Sequence, residues 1–177
     1  MLNDIQLLLT GGTIDAEFDP SLDTPISSTR SHIKPYLLKF IQPEFDIFEK
    51  AITLVDSRDI TDNMRQVIFD HILDSRSDYI VLTHGTYTMA ETGRYLKDKI
   101  ENNKRVKDKR IVIVGSFYPL VGFSSSDAPY NLGYAIGVVE YLKPGVYLAM
   151  NSRLFDPFEV DKNIVKGKFM RKAVSVC

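Results

Sequence analysis

The chain is nearly without cysteine: among 177 residues only Cys177, at the last position, carries a thiol, so no internal disulfide can form. That usage fits a reducing compartment. Tryptophan is absent, and no apolar run approaches the ~18 residues of a membrane span. The opening residues, MLNDIQLLLTGG, hold an acid where a secretion signal would carry basic residues. A cytoplasmic location is the expectation. A surplus of one charge is missing too, since 22 basic residues face 23 acidic ones. Coating nucleic acid or an anionic membrane needs an excess of Lys and Arg, so neither partner is expected.

Several chemical signatures are also lacking. The three histidines, at positions 32, 71 and 84, have no metal-ligand spacing, so no metal is expected. The phosphate-loop pattern, the dinucleotide GxGxxG pattern and the GxSxG elbow are all absent, and no cofactor is expected. What is present describes an ordinary soluble domain, with 44% hydrophobic and 25% charged residues. A chain of this size buries about 70% of the surface its unfolded form exposes, enough for a full core. Residues 1–177 are read as one domain.

Five short apolar runs punctuate the sequence, at residues 5–9, 47–55, 79–82, 111–114 and 146–150, and they read as buried strands. Between them, residues 33–41, 64–73, 89–100 and 130–142 have helical period. In the second of these, Met64, Val67, Ile68, His71 and Ile72 share one helix face, with Thr61 or Asp62 as its cap. Strands apolar on both faces and separated by helices require a mostly parallel sheet covered on both sides. The expected fold is a doubly wound α/β three-layer sandwich. Ligands of such folds sit beyond the carboxyl ends of the strands.

Charge is uneven along the chain: residues 1–62 hold 11 acids and 5 bases, and residues 94–110 hold 8 bases and 3 acids. The basic stretch spans a helix end and a loop, where Lys and Arg favour the helix dipole and water, so it is read as a solvated surface.

Three strand ends carry candidate chemistry. The first runs into Thr10-Gly11-Gly12-Thr13, whose glycines bring main-chain amides close to a ligand or simply make a tight turn. The third ends in His84-Gly85-Thr86-Tyr87-Thr88-Met89, with hydroxyls crowded at a helix start. Free N–H groups at such a start attract negative charge; otherwise Thr86 or Thr88 is simply an N-cap and His84 a hydrogen-bonded residue near the core. The second ends in Asp56-Ser57-Arg58-Asp59, where Arg58 opposes the dipole of the helix that follows.

Taken together, TGGTI at residues 10–14, VDSRD around Ser57 and HGTYTM at residues 84–89 resemble the bacterial L-asparaginase family. The resemblance continues through Gly115-Ser116, through SDAPYNL at residues 126–132 and through Asn151 to Lys162. It implies that Thr13 is the nucleophile, Thr86 the second catalytic threonine and Lys162 the cation that assists proton transfer. It further implies that Ser57 holds the substrate carboxylate, with Gly12, Gly85 and Ser116 lining the site. A threonine hydroxyl is a weak nucleophile that needs a base or relay, and glycine-flanked amides can stabilise an oxyanion. Lys162 acts only if the fold lowers its pKa or links it to Thr86.

Departures from the family pattern narrow the expectation. The family reads HGTDTM, and here Tyr87 replaces the aspartate that helps hold the substrate ammonium and joins the relay. Arg58 stands where the family commonly has Gln; it repels an ammonium and forks to a carboxylate. Residues 14–35 lack the family's loop tyrosine, leaving Phe18 as the aromatic there. The resemblance reaches only the family's N-terminal domain, whose C-terminal counterpart supplies an acid for the substrate amine. The expected ligand is a small carboxylate or amide without a free α-amino group. Two readings follow: an asparaginase-like amidohydrolase with an altered substrate, and a small-acid binding or regulatory domain that keeps the cleft. The family also allows a homodimer.

Overall fold

The computed structural model describes residues 2–122 and 125–172; Cys177 lies outside the described residues. Its elements are β1 (Asp4–Gly11), β2 (Ala16–Asp19), β3 (Thr24–Ser27), α1 (Ile33–Tyr36), β4 (Asp46–Val55), α2 (Asp62–Asp74), β5 (Tyr79–Thr83), α3 (Met89–Glu101), β6 (Arg110–Val114), α4 (Ala128–Val139), β7 (Gly145–Met150), β8 (Arg153–Phe155), β9 (Val160–Asn163) and β10 (Lys168–Arg171). Six strands form the central sheet in the order β4-β1-β5-β6-β7-β8, and two hairpins, β2-β3 and β9-β10, stand apart from it. All pairings in the central sheet are parallel except β7 with β8. The doubly wound expectation matches this sheet.

Alternation along the strands explains the three layers. Leu8, Ile80, Leu82, Ile111 and Ile113 pack with Ile68, Ile72, Leu96 and Ile100 of α2 and α3. Leu7, Leu9, Val81, Val112 and Val114 pack with Ile33 of α1 and Leu132 and Val139 of α4. Successive strand residues thus feed opposite faces, as a period of two demands. Fully burying one such aliphatic side chain is worth about 1.5–3 kcal/mol.

The five expected strands are present, and three details differ from the sequence reading. The helix expected over residues 33–41 is α-helical only to Tyr36 and then widens into a π turn, Leu37–Ile41, closed by Gln42 in left-handed geometry. In α2 the buried residues are Arg65, Ile68, Phe69 and Ile72, while Val67 is exposed. Arg65 can face inward because Asp62, Glu91 and Thr92 accept its hydrogen bonds. Thr61 caps α2 through its hydroxyl, which accepts from the Met64 amide, a contact worth about 1 kcal/mol. Finally, β8 follows β7 after only Asn151 and Ser152, both at positive φ, the geometry of a two-residue hairpin turn.

The basic stretch 94–110 is clamped to the fold. Lys97 pairs with Asp156, Lys109 donates to the Ser75 and Ser77 carbonyls, and Arg110 donates to the Leu142 carbonyl.

Candidate active site

The strand order places a crevice before any side chain is considered. The chain leaves β1 toward β4 on one side, then crosses back to β5 on the other, so β1 and β5 flank the topological switch point. Ligands of open α/β sheets bind there, outside the carboxyl ends of the strands. The turns beyond those two ends are Gly11-Gly12-Thr13 and His84-Gly85-Thr86.

Hydrogen bonds tie the first turn to β4 and to the end of β5, and the two turns lie in close contact. The Gly12 amide donates to the Val55 carbonyl at 2.9 Å, and Thr10 Oγ1 donates to the Thr83 carbonyl at 2.7 Å. A Cβ on Gly12 would lie 2.3 Å from the Gly85 Cα, and one on Gly85 would lie 2.6 Å from Ser57 Oγ. Gly12 also has φ +80°, a region that disfavours other residues. The chain therefore stacks Gly12 on Gly85 on Ser57, and sets Thr13 and Thr86 as the next residues of two touching turns. Thr13 opens a short 3₁₀ turn and is half-buried, whereas Thr86 is buried.

Lys162 enters from β9. Its Nζ donates to Thr86 Oγ1 at 2.7 Å, so the two residues that the sequence pairs across 76 positions are in direct contact. Burial holds the lysine below its ordinary pKa, the Asp56 carboxylate opposes that shift, and Arg58 adds to it. Nζ also lies 3.9 Å from the centre of the Tyr87 ring and 5.3 Å from that of Phe117, both within the ~6 Å reach of a cation–π contact. Thr86, Tyr87 and Lys162 border a cavity of about 240 Å³ whose apolar side is Ala90, Ile164 and Phe169.

Three expected site residues sit differently from a ligand-facing arrangement. Arg58 is committed within its own turn: Nε and Nη2 fork onto the Asp56 carboxylate at 3.0 and 2.9 Å, and the Arg58 amide donates to the same group. These bonds hold Asp56 below the usual carboxylate range. The guanidinium also lies 4.8 Å from the Tyr87 ring centre. Ser57 is buried, its Oγ accepting from the Tyr87 amide at 3.2 Å, while its carbonyl accepts from the Thr88 hydroxyl. Thr88 thus ties two turns together and does not cap α3. Ser116 is buried and donates to the Tyr118 carbonyl. Phe18 lies on β2, in the hairpin that follows the Thr13 turn.

Beneath the site runs a directed chain of hydrogen bonds. His84 is fully buried, and burial pushes its pKa down to about 4, so the ring is neutral. Its Nδ1 must donate to the Gly85 carbonyl at 2.8 Å, which leaves Nε2 to accept from the Thr92 hydroxyl at 2.9 Å. Thr92 Oγ1 in turn accepts from Arg65 Nε at 3.1 Å. Sequence reasoning missed Arg65, Thr92, Asp56 and Phe117. Only Asp56 left a signal, as an acid two residues before a turn amide. Among the described residues no cluster of metal-ligating side chains exists, and no helix is long and apolar enough to cross a membrane.

Comparison with known proteins shows the family and the fold. The profile of the family described as Asparaginase, N-terminal, matches residues 4–168. The chain is 30% identical over 173 residues to the glutaminase-asparaginase of Acinetobacter glutaminasificans, covering 92% of this chain and 50% of that one. To L-asparaginase 1 of Escherichia coli it is 32% identical over 156 residues, covering 85% and 45%. The chain thus spans about half the length of the curated relatives it matches. Among solved structures, L-asparaginase I from Vibrio cholerae superposes with a TM-score of 0.79 at 28% identity, over 97% of this chain and 52% of that one. A probable cytoplasmic L-asparaginase from Campylobacter jejuni gives 0.77 at 28%, over 96% and 53%. With its crevice formed by the TGGTI and HGT turns, the chain belongs to the asparaginase family and matches the family's N-terminal domain.

Proposed function

We propose that the chain acts as an asparaginase-like amidohydrolase, releasing ammonia from a small amide through a threonine nucleophile. The observation that carries this reading is the 2.7 Å bond between Lys162 Nζ and Thr86 Oγ1, beside the turn that presents Thr13. In this reading the Thr13 hydroxyl attacks the amide carbon, and its proton passes to the Thr86–Lys162 pair. Main-chain amides of the glycine turns hold the tetrahedral oxyanion. The C–N bond breaks, the nitrogen leaves as ammonia with the returned proton, and water then cleaves the threonyl ester to free the acid.

The substrate is proposed to be the amide of a small carboxylic acid without an α-ammonium group. Both oxygens of Asp56 are already bonded to Arg58, and two cations, Arg58 and Lys162, lie against the Tyr87 ring. Arg58 Nη1 has no bond to the described residues and can meet a carboxylate. The chain is further proposed to work in the cytoplasm and as a homodimer, with no cofactor; molecular mass in solution tests the dimer.

A second reading, a small-acid binding or regulatory domain, is favoured by Tyr87 at the position where the family pattern has an aspartate. Ammonia release from a panel including succinamate and L-asparagine separates the two. Amidohydrolase activity on succinamate that falls by at least about 10³-fold in Thr13→Ala is the expected result. Silence across the panel, with saturable succinate binding lost in Arg58→Gln, supports the binder. Preferential binding of aspartate overturns the proposed substrate class.

A further inference from the structure

Tyr87 presents its ring, and not its hydroxyl, to the site. The phenol makes no hydrogen bond to any described residue, while the ring face receives Lys162 Nζ at 3.9 Å and the Arg58 guanidinium at 4.8 Å. Lys162 has an unusual set of neighbours for a half-buried ammonium: one hydroxyl, from Thr86, and two aromatic rings, from Tyr87 and Phe117. No carboxylate pairs with it among the described residues. The charged groups around it come from two elements. Arg58 and Asp56 lie on the turn after β4 and are bonded to each other. Asp161, the preceding residue on β9, is turned toward Arg94 and Lys172 at 3.8 and 3.7 Å.

We propose that Tyr87 is a positioning residue that works through its ring face, seating the Lys162 amine on the Thr86 hydroxyl while leaving the lysine able to give up its proton. A carboxylate in that position would bind the ammonium more strongly and keep it charged; an aliphatic side chain would not bind it at all. A π face is intermediate, since a cation–π contact attracts only the charged amine and is weaker than an ion pair. Burial favours the neutral amine and the rings favour the ammonium, so the ring sets the pH at which the Lys162–Thr86 pair changes role. The catalytic half of this inference rests on the amidohydrolase reading, whereas the seat itself does not.

The experiment follows the Lys162 side chain directly, by NMR titration of the full chain carrying ¹³C,¹⁵N-labelled lysine, with Lys162→Arg identifying the signal. Tyr87 is 48% exposed, so its replacement leaves the core intact and Tyr87→Phe, Tyr87→Leu and Tyr87→Asp can be compared as folded proteins. Tyr87→Phe should leave the Lys162 midpoint within about 0.3 unit, because the ring is retained. Tyr87→Leu should lower it by about 0.4–0.7 unit, and Tyr87→Asp should raise it by at least about one unit. A Leu variant that titrates like the parent overturns the proposal, as does a Phe variant that titrates like Leu. If an amide of the panel is hydrolysed, the acid limb of kcat must move with these midpoints, up for Asp and down for Leu. If none is hydrolysed, the amidohydrolase reading fails while the titration still decides whether the ring is the seat.

Discussion

At the floor of the crevice, Gly12 lies against Gly85 and Gly85 against Ser57, with no space for even one added carbon. At the rim, Arg58, Tyr87 and Lys162 meet through ring faces and an ion pair that water reaches. The floor is fixed by repulsion between backbones, which is steep and admits one arrangement. The rim is fixed by electrostatic contacts of modest energy, which tolerate exchange. A protein built this way can keep its reaction geometry while the charge presented to a ligand changes. In this chain TGGTI and HGT stand unaltered as the floor, and two departures from the family pattern, Arg58 and Tyr87, fall at the rim.

Substitutions at the two levels should therefore differ sharply in cost. Gly12→Ala would place its Cβ 2.3 Å from the Gly85 backbone at a φ of +80°, and should cost more than about 4 kcal/mol or prevent folding. Denaturant unfolding measures this, and a loss below about 1 kcal/mol would break the comparison.

Protonation of the buried support is the next largest effect. His84 titrates near 4 in the folded chain against 6.5 when free, so between those values the unfolded chain binds the extra proton. Stability is then fully present above about pH 6.5 and declines as pH falls toward 4, by roughly 3 kcal/mol in all. Urea midpoints at several pH values read this slope directly. His84→Gln, which cannot charge, should lack it.

At the rim the effect on stability should be smallest. The Arg58 and Asp56 side chains are 65% and 44% exposed, so Arg58→Gln should change unfolding free energy by no more than about 0.5 kcal/mol. Thermal unfolding beside the parent checks this. A larger loss would mean that the Asp56–Arg58 pair is part of the floor.

Much of the floor was legible from the residues because it depends on patterns with a short reach. Alternating apolar runs located every strand of the central sheet except β8, a three-residue strand that is too brief for any alternation. The β2-β3 hairpin left no trace either, since β3 is exposed throughout and has no buried face to mark it. Arg65 rotated the buried face of α2 away from the apolar stripe, because its partners Glu91 and Thr92 lie 26 and 27 residues distant. At the rim, residue types were readable and partners were not. Arg58 looked like a cation awaiting a ligand until Asp56, two residues before it, was seen to hold its guanidinium. Phe117, three residues beyond β6, comes within 5.3 Å of Lys162 Nζ only through tertiary placement.

The position of β1 has a consequence for how the molecule comes into being. Among the described strands the earliest, β1, is an interior strand flanked by β4 and β5, and the Thr10 hydroxyl finds its carbonyl 73 residues later. During synthesis β1 must wait, unpaired on its inner side, until the segment ending at Thr83 has left the ribosome. Pairings of such long sequence separation slow folding, because chain entropy is lost before the contacts form. The step that docks β5 beside β1 also brings the two glycine turns together. Pairing of β5 with β1 and closure of the crevice therefore share one geometric requirement, the seating of residues 80–83 beside residues 6–9.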